Sequence, residues 1–252
     1  MPARPVAMNT SRSQRVTASG RTRASSAACS VGAAVRAGPR ARQIRVSALA
    51  LFSQAVMLPN LARFSARWPQ YEVRIESTPR FANFDREDLD VAVRVGDGRW
   101  PGLKATALLR ITGAPVASPA YLAARPVRTP ADLQDARLIH DTAQPRAWSI
   151  WLAGHGVARP NAPSDLWLDS APATLHAAEQ GLGVAFAIDP LVRAWPGYGE
   201  RLVRVLPGFG GPATRYWLAR RPESDSDPKI RAFMGWLRAA CRDLSEAAGP
   251  GP

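Results

Sequence analysis

The chain has 252 residues, more than one compact core usually needs, so its length predicts one large domain or two lobes of about 100 residues each. Hydrophobic residues make up 46% and charged residues 21%, and no apolar run nears the ~20 residues of a membrane span, which excludes disordered, collagen-like, disulfide-scaffold and helical membrane classes. The net charge of +13 is local: residues 1–45 hold nine arginines and no acid, whereas 24 basic residues face 20 acidic ones from Val46 onward.

Those N-terminal residues contain no Leu, Phe, Tyr or Trp, and their first Ile is Ile44. Such a composition builds no core, so residues 1–43 read as a disordered basic tail. A helix-turn-helix is excluded there because it needs large apolar side chains at helical spacing. An Arg-rich start with no apolar stretch behind it is not a secretory signal. Sequence-independent binding to DNA phosphates is the functional alternative for this tail, and a degraded or mistranslated segment is another. Cys29 and Cys241 fit neither a disulfide framework nor a Cys-x-x-Cys motif, which makes a reducing cytoplasm the default compartment.

From Ile44 the pattern becomes a βα alternation. Residues 44–51 form an apolar run of strand length. Ser53 is placed to cap a helix striped by Val56, Leu58, Leu61, Phe64 and Trp68, with Pro59 tolerated near its first turn. Trp68-Pro69 stops that helix. Tyr71, Val73 and Ile75 alternate with Glu72, Arg74 and Glu76, predicting a strand with one wet face, and 89–95 predicts another, closed by Gly96-Asp97-Gly98. Further on, 114–117 reads as a short strand, 119–122 as a helical turn and 129–133 as a capped helix with Pro at its first position. Residues 138–140 predict a strand, 148–153 a helix and 166–168 a strand. Asp169-Ser170 then cap a helix that ends at Gly181. Strands are expected at 183–188, 201–206 and 215–219. Ile230, Phe233, Met234, Leu237, Cys241 and Leu244 stripe one face of a helix over 228–245, which puts Cys241 in the core. The repeated βα units predict a mainly parallel sheet with helices on both faces, in two α/β lobes.

One run carries more than periodicity. Phe84-Asp85-Arg86-Glu87-Asp88-Leu89-Asp90-Val91-Ala92-Val93-Arg94-Val95-Gly96-Asp97-Gly98-Arg99-Trp100-Pro101-Gly102-Leu103 resembles the effector-binding domain of LysR-type transcriptional regulators, in the subgroup of the glycine-cleavage activator. In the family's order there follow Ser118-Pro119-Ala120-Tyr121-Leu122, Thr129-Pro130-Ala131-Asp132-Leu133, Leu138-Ile139-His140-Asp141, Gly181-Leu182-Gly183-Val184-Ala185 and Tyr216-Trp217-Leu218, while Leu58-Pro59, Phe64 and Trp68-Pro69 precede it. The likeness covers residues 44–244. It implies an α/β fold of two Rossmann-like lobes, of the type 2 periplasmic-binding-protein kind, joined by two crossover strands. Lobe I would be 44–116 plus 215–244, lobe II 117–213, and 245–252 a flexible C-terminus. It also implies a small-molecule effector of unknown identity held between the lobes, a homodimer or tetramer, and transcription regulation in the cytoplasm. Family members begin with a winged helix-turn-helix that residues 1–43 do not match. Arg12 to Gly20 resemble only its wing, so DNA contact is expected only if a helix-turn-helix is supplied, or non-specifically through the tail.

The resemblance also nominates site residues. Leu51 stands where family members place a Ser or Thr after the first strand, with Ser53 as a substitute two residues on, which favours a more apolar effector. Arg94 ends an apolar strand and lies either at the cleft mouth or in an ion pair with Asp85 or Asp88. Thr78 either offers its hydroxyl to a ligand or only turns the chain before Pro79. Asp169 and Ser170 either cap a helix or cap it and touch ligand. Asp141 follows His140 at a strand end, but neighbouring strand residues face opposite ways, so the two form no catalytic dyad. Trp148 and Trp151 read as core. No nucleophile elbow, zinc-protease motif, phosphate loop or dinucleotide fingerprint is present, and His140, His155 and His176 lack metal-ligand spacing, so no catalytic residue, metal or cofactor is expected. A solute-binding protein for transport and a vestigial regulator that only pairs with intact relatives are the alternatives. The dimer surface is expected on the helix of Leu61, Phe64 and Trp68 with strand 71–76, where a charge at Tyr71 or Val73 would weaken pairing more than folding.

Overall fold

In the computed structural model the sheet begins before the apolar run does. The chain divides into two units, 1–36 and 37–252, and the described residues, 39–80, 84, 88–207, 210–211 and 213–247, belong to the second. α1 (Pro39–Arg42) is one helical turn leading into β1 (Gln43–Ala48). Arg40 forks onto Asp90 at 2.8 and 3.1 Å and reaches Asp88 at 2.6 Å, while Arg45 meets Asp88 at 2.5 Å. Asp90 also takes the Arg45 N–H at 2.8 Å and the Lys229 ammonium at 3.3 Å. Burial alone would raise the Asp90 carboxyl, but these bonds outweigh it and hold the group below its ordinary range. Two of the nine N-terminal arginines are therefore fold contacts. Composition assigns Pro39–Gln43 to the tail because partners 43 to 50 residues away leave no local trace.

β1 stops at Ala48, and α2 (Ala50–Phe52) takes Leu51 and Phe52 into a helix instead of the expected strand. Ser53 is not an N-cap. It opens a π-helical stretch (Ser53–Met57) in which the Leu58 N–H bonds the Ser53 carbonyl, and α3 (Leu58–Arg67) continues the same helix. Pro59 thus lies inside a long helical run, not in its first turn. The widened turn ahead of it relieves the missing N–H and the clash that a proline ring makes with the carbonyl four residues back.

The remaining elements are β2 (Glu72–Ser77), β3 (Val91–Gly96), β4 (Lys104–Ala117), α4 (Pro119–Ala124), β5 (Leu138–Asp141), α5 (Ala147–Gly154), β6 (Leu166–Leu168), α6 (Ala171–Glu179), β7 (Val184–Asp189), β8 (Val203–Arg204), β9 (Thr214–Arg220) and α7 (Pro228–Ala247). The segment after Thr129 is a short 3-10 helix with a reciprocal Thr129–Asp132 capping box. Strands follow the order β2-β1-β3-β9-β4-β7-β5-β6, with β8 also on β4. The sheet is not mainly parallel. β1 pairs parallel with β2 and β3, and β5 with β6 and β7, but β9 runs antiparallel to β3 and β4, and β4 antiparallel to β7 and β8. The two parallel βα sets form two lobes, and β4 is the long strand that passes from β9 on one side to β7 on the other. β4 is one fourteen-residue strand where 114–117 alone reads as strand, since Arg110, Thr112 and Gly113 break the apolar pattern just where it changes partners. Only two residues of 201–206 are paired as a strand.

Ile44, Val46, Phe52, Phe64, Val93, Leu218 and the α7 stripe fill one core. Leu133, Leu138, Trp148, Trp151, Leu152 and Val184 fill another. Cys241 is buried in the first, and burial pushes its thiol up to about 12. Tyr71, Val73 and Ile75 also rest against that core, half-buried. A charge at Tyr71 or Val73 would therefore disturb folding as well as any pairing, because the wet face of β2 is Glu72, Arg74 and Glu76.

Candidate functional site

Parallel strands end on the same side of a sheet, and each strand end is followed by a turn or a helix start, so polar groups converge there. Here the ends of β1, β2, β3, β5 and β6 surround a cavity of about 520 Å³, which Ile188 of β7 and Tyr216 of β9 also line. The first turn of α2 and the start of α6 both reach it, through Ala50, Leu51 and Ala171.

Six of the seven candidates line this cavity: Leu51, Thr78, Arg94, Asp141, Asp169 and Ser170. Ser53 does not. Its hydroxyl is buried behind the cavity, donating to the Leu49 carbonyl at 3.3 Å and accepting from Ser77 at 3.3 Å, so it does not replace the hydroxyl that Leu51 lacks.

Arg94 is 4% exposed and serves the fold. One terminal nitrogen donates to the carbonyls of Ser47 at 3.0 Å and Val93 at 2.8 Å, the other to the Ser47 hydroxyl at 2.7 Å and the Arg80 carbonyl at 2.6 Å. These bonds tie β3 to β1 and to the segment after β2. Asp88, one of its two expected ion partners, is held by Arg40 and Arg45, and Asp85 lies outside the described residues. Thr78 turns the chain, its hydroxyl accepting the Arg80 N–H at 3.2 Å, and also faces the cavity.

Across the cavity, Asp141 ends β5 and Asp169 follows β6, strands paired in parallel with Asp141 opposite Leu168. Burial pushes the Asp141 carboxyl above its ordinary range; the Ala143 N–H at 2.8 Å opposes this, and the Asp169 charge adds to it. Ser170 has the extended backbone of an N-cap residue but makes no side-chain capping bond, so capping does not account for its hydroxyl. His140 points away from Asp141, against Asp165 at 3.3 Å and stacked on Trp167 at 4.2 Å.

Three polar lining groups were not singled out from sequence: Ser77, Gln144 and Tyr216. Tyr216 is fully buried, and its hydroxyl has no hydrogen-bond partner among the described residues. Burial and the nearby Asp141 charge push its phenol upward. An unmatched Tyr in an apolar strand looks like any core residue in a single sequence. Among the described residues no group of three or more His, Cys, Asp or Glu side chains is arranged to hold a metal, and no helix is long and apolar enough to cross a membrane.

Residues 37–242 match the model of the LysR substrate binding domain. The chain belongs to this family. The glycine cleavage system transcriptional activator of Escherichia coli K12 is 30% identical over 197 residues, covering 78% of this chain and 64% of that protein. The HTH-type transcriptional activator AmpR of Pseudomonas aeruginosa is 29% identical over 195 residues, with 77% and 64% covered. Among solved structures, the effector domain of that AmpR aligns with a TM-score of 0.69 at 28% identity, over 81% of this chain and 98% of the domain. The CrgA regulatory domain of Neisseria meningitidis, at 19% identity and a TM-score of 0.70, shares the fold. The LysR domain described here thus spans about 64% of the length of the curated relatives it matches.

Proposed function

We propose that this LysR domain is a sensory module: a small molecule binds between the lobes, and the resulting change in their arrangement is read out as transcription. The observation that carries this reading is the cavity of about 520 Å³ at the convergent strand ends, lined by polar groups that local structure leaves unused. We take lobe I as 44–116 plus 215–244 and lobe II as 117–213, with Leu51, Thr78, Arg94, Asp141, Asp169 and Ser170 facing the effector and Arg94 shaping the wall. The domain works as a homodimer or tetramer without chemistry of its own, in the cytoplasm, and DNA contact belongs to the complete regulator.

The test is a melting experiment on the full chain with the small-molecule fraction of a bacterial extract. Ligand bound only to the folded state raises the melting temperature. Thr78→Trp, on a loop beside the cavity, fills the space without touching either core and should abolish the rise. A rise that persists in the variant, or none in the parent protein, would sink the reading.

A further inference from the structure

The cavity's charges are unbalanced. Among the described residues, Arg94 is the only cationic side chain in its lining, and its two terminal nitrogens already serve four protein acceptors. Asp141, half-buried, and Asp169, exposed at the cavity rim, have no ion-pair partner among the described residues, although they end adjacent strands on the same side. Carboxylates placed together without a counter-ion lower stability, and such groups are kept where a ligand supplies the missing charge. A second observation points the same way: the Tyr216 hydroxyl, fully buried beside Asp141, has no partner among the described residues, which is costly unless something else bonds to it.

We infer that the effector carries a primary ammonium group, bound between Asp141 and Asp169 with the Tyr216 oxygen as a further acceptor. This rests on reading the cavity as the effector site and names the ligand's chemical class. A primary ammonium has three N–H donors and no acceptor, which matches two carboxylates and one phenol oxygen. A divalent cation fits less well, because it needs six or more oxygen ligands and among the described residues no third carboxylate joins the pair. A purely anionic effector would meet both carboxylates, while the Arg94 terminal nitrogens are committed to protein acceptors. The lining also includes the apolar Leu51, Val95 and Ile188, so the amine should come on a partly hydrophobic skeleton.

Three probes of similar shape and different charge test this on the full chain: phenethylamine, 2-phenylethanol and 3-phenylpropionate. Backbone amide resonances of Ala143 and Ser170 report binding at the two strand ends. The amine should perturb them at concentrations about tenfold or more below the other two. Asp141→Asn and Asp169→Asn should each remove that preference without lowering the melting temperature of the free protein, and Tyr216→Phe should weaken the amine alone. If the alcohol or the carboxylate perturbs the same amides as well as the amine does, the cavity is a ligand site of another class and the inference falls while the sensory reading stands. If the amine perturbs nothing, or magnesium chloride reproduces its shifts, the inference is wrong. If either Asn variant melts well below the parent, the carboxylates are structural and it is wrong on that ground.

Discussion

Arg159 grips Asp165 with two hydrogen bonds of 2.8 Å, one to each carboxylate oxygen, in a pair whose side chains are 5% and 0% exposed. The same carboxylate accepts the N–H groups of Leu138 at 3.0 Å and Ala162 at 2.9 Å, which fastens the loop before β6 to the start of β5. The bond to Leu138 matters for the cavity because β5 carries Asp141 at its other end. Breaking a buried pair by removing one partner leaves an uncompensated charge. Arg159→Ala is therefore expected to cost about 3–5 kcal/mol in urea unfolding. A loss below about 1 kcal/mol, the range of exposed pairs, would show that water replaces the guanidinium.

The same cluster sets an acid limit. Burial would raise the Asp165 carboxyl, but the Arg159 fork and the two N–H groups hold it well below the carboxylate range, so its stabilisation is complete above the unfolded value of about 3.9 and lost as pH falls below that. Burial lowers His140, so the folded protein keeps it neutral while the unfolded chain takes up a proton below about 6.5. Both effects make stability fall with acid, His140 first. Asp141 is raised and opposes them, since its protonation relieves the folded state. Urea midpoints should decline from about pH 6.5 downward, and His140→Asn, which keeps a donor toward Asp165, should flatten the upper part of that decline. An unchanged slope between pH 5 and 6.5, the window of histidine titration, would mean that His140 charges in place.

Gly113 lies just past the point where β4 changes partner from β9 to β7. A Cβ there would lie 2.0 Å from the tip of the Phe186 ring, and Gly211 donates its N–H to the Gly113 carbonyl at 2.9 Å. Gly113→Ala should cost about 1–3 kcal/mol by forcing the ring aside. Adding Phe186→Ala should recover part of that cost, so the double-mutant cycle is expected to be non-additive. Strict additivity would place the strain in the backbone instead.

These residues also show what a single sequence reveals. The α7 stripe, the Thr129–Asp132 cap and the βα sets were legible because their cause is local: a period, a cap pair, a turn residue. The π-helical stretch was not, because Pro59 marks a disruption without saying whether the helix breaks or widens. The antiparallel β4–β9 pairing was hidden for another reason, since its partners lie about a hundred residues apart and strand direction leaves no mark on composition. Within the cavity, Asp141, Asp169 and Ser170 could be named from strand ends and family likeness. Ser53 was misplaced because a two-residue shift along a helix turns a side chain to another face. Tyr216 was passed over because only the surrounding structure shows its hydroxyl unmatched.

The N-terminal arginines give a separate prediction. Arg40 and Arg45 are bound to Asp88 and Asp90, so at most seven of the nine N-terminal arginines can meet an external anion. Duplex DNA bound through these seven should lose affinity with a log–log salt slope no steeper than about −6, and unrelated duplex should compete fully. A footprint on one sequence that survives ~200 mM salt would contradict purely electrostatic binding.

The last prediction concerns assembly. β2 ends the strand order, so one of its backbone edges has no partner strand within the described chain. An unpaired edge invites pairing with another chain, and a two-fold arrangement would set the edge of one copy and its flanking α3 against those of another. The exposed face offers Glu72, Arg74 and Glu76, with Arg74 bonded to Glu72 at 2.7 Å. Arg74→Glu would place three carboxylates in a row on each copy, and two-fold symmetry doubles the repulsion. Because the Arg74 side chain is 56% exposed, folding should barely change. Val73→Glu, by contrast, should lower both association and stability, since Val73 rests on the core. Sedimentation of the full chain at tens of micromolar should give a dimer, and Arg74→Glu should shift it toward monomer with an unchanged melting temperature. A parent protein that runs as a monomer while melting cooperatively would rule out this edge as the interface, as would an Arg74→Glu dimer of undiminished affinity.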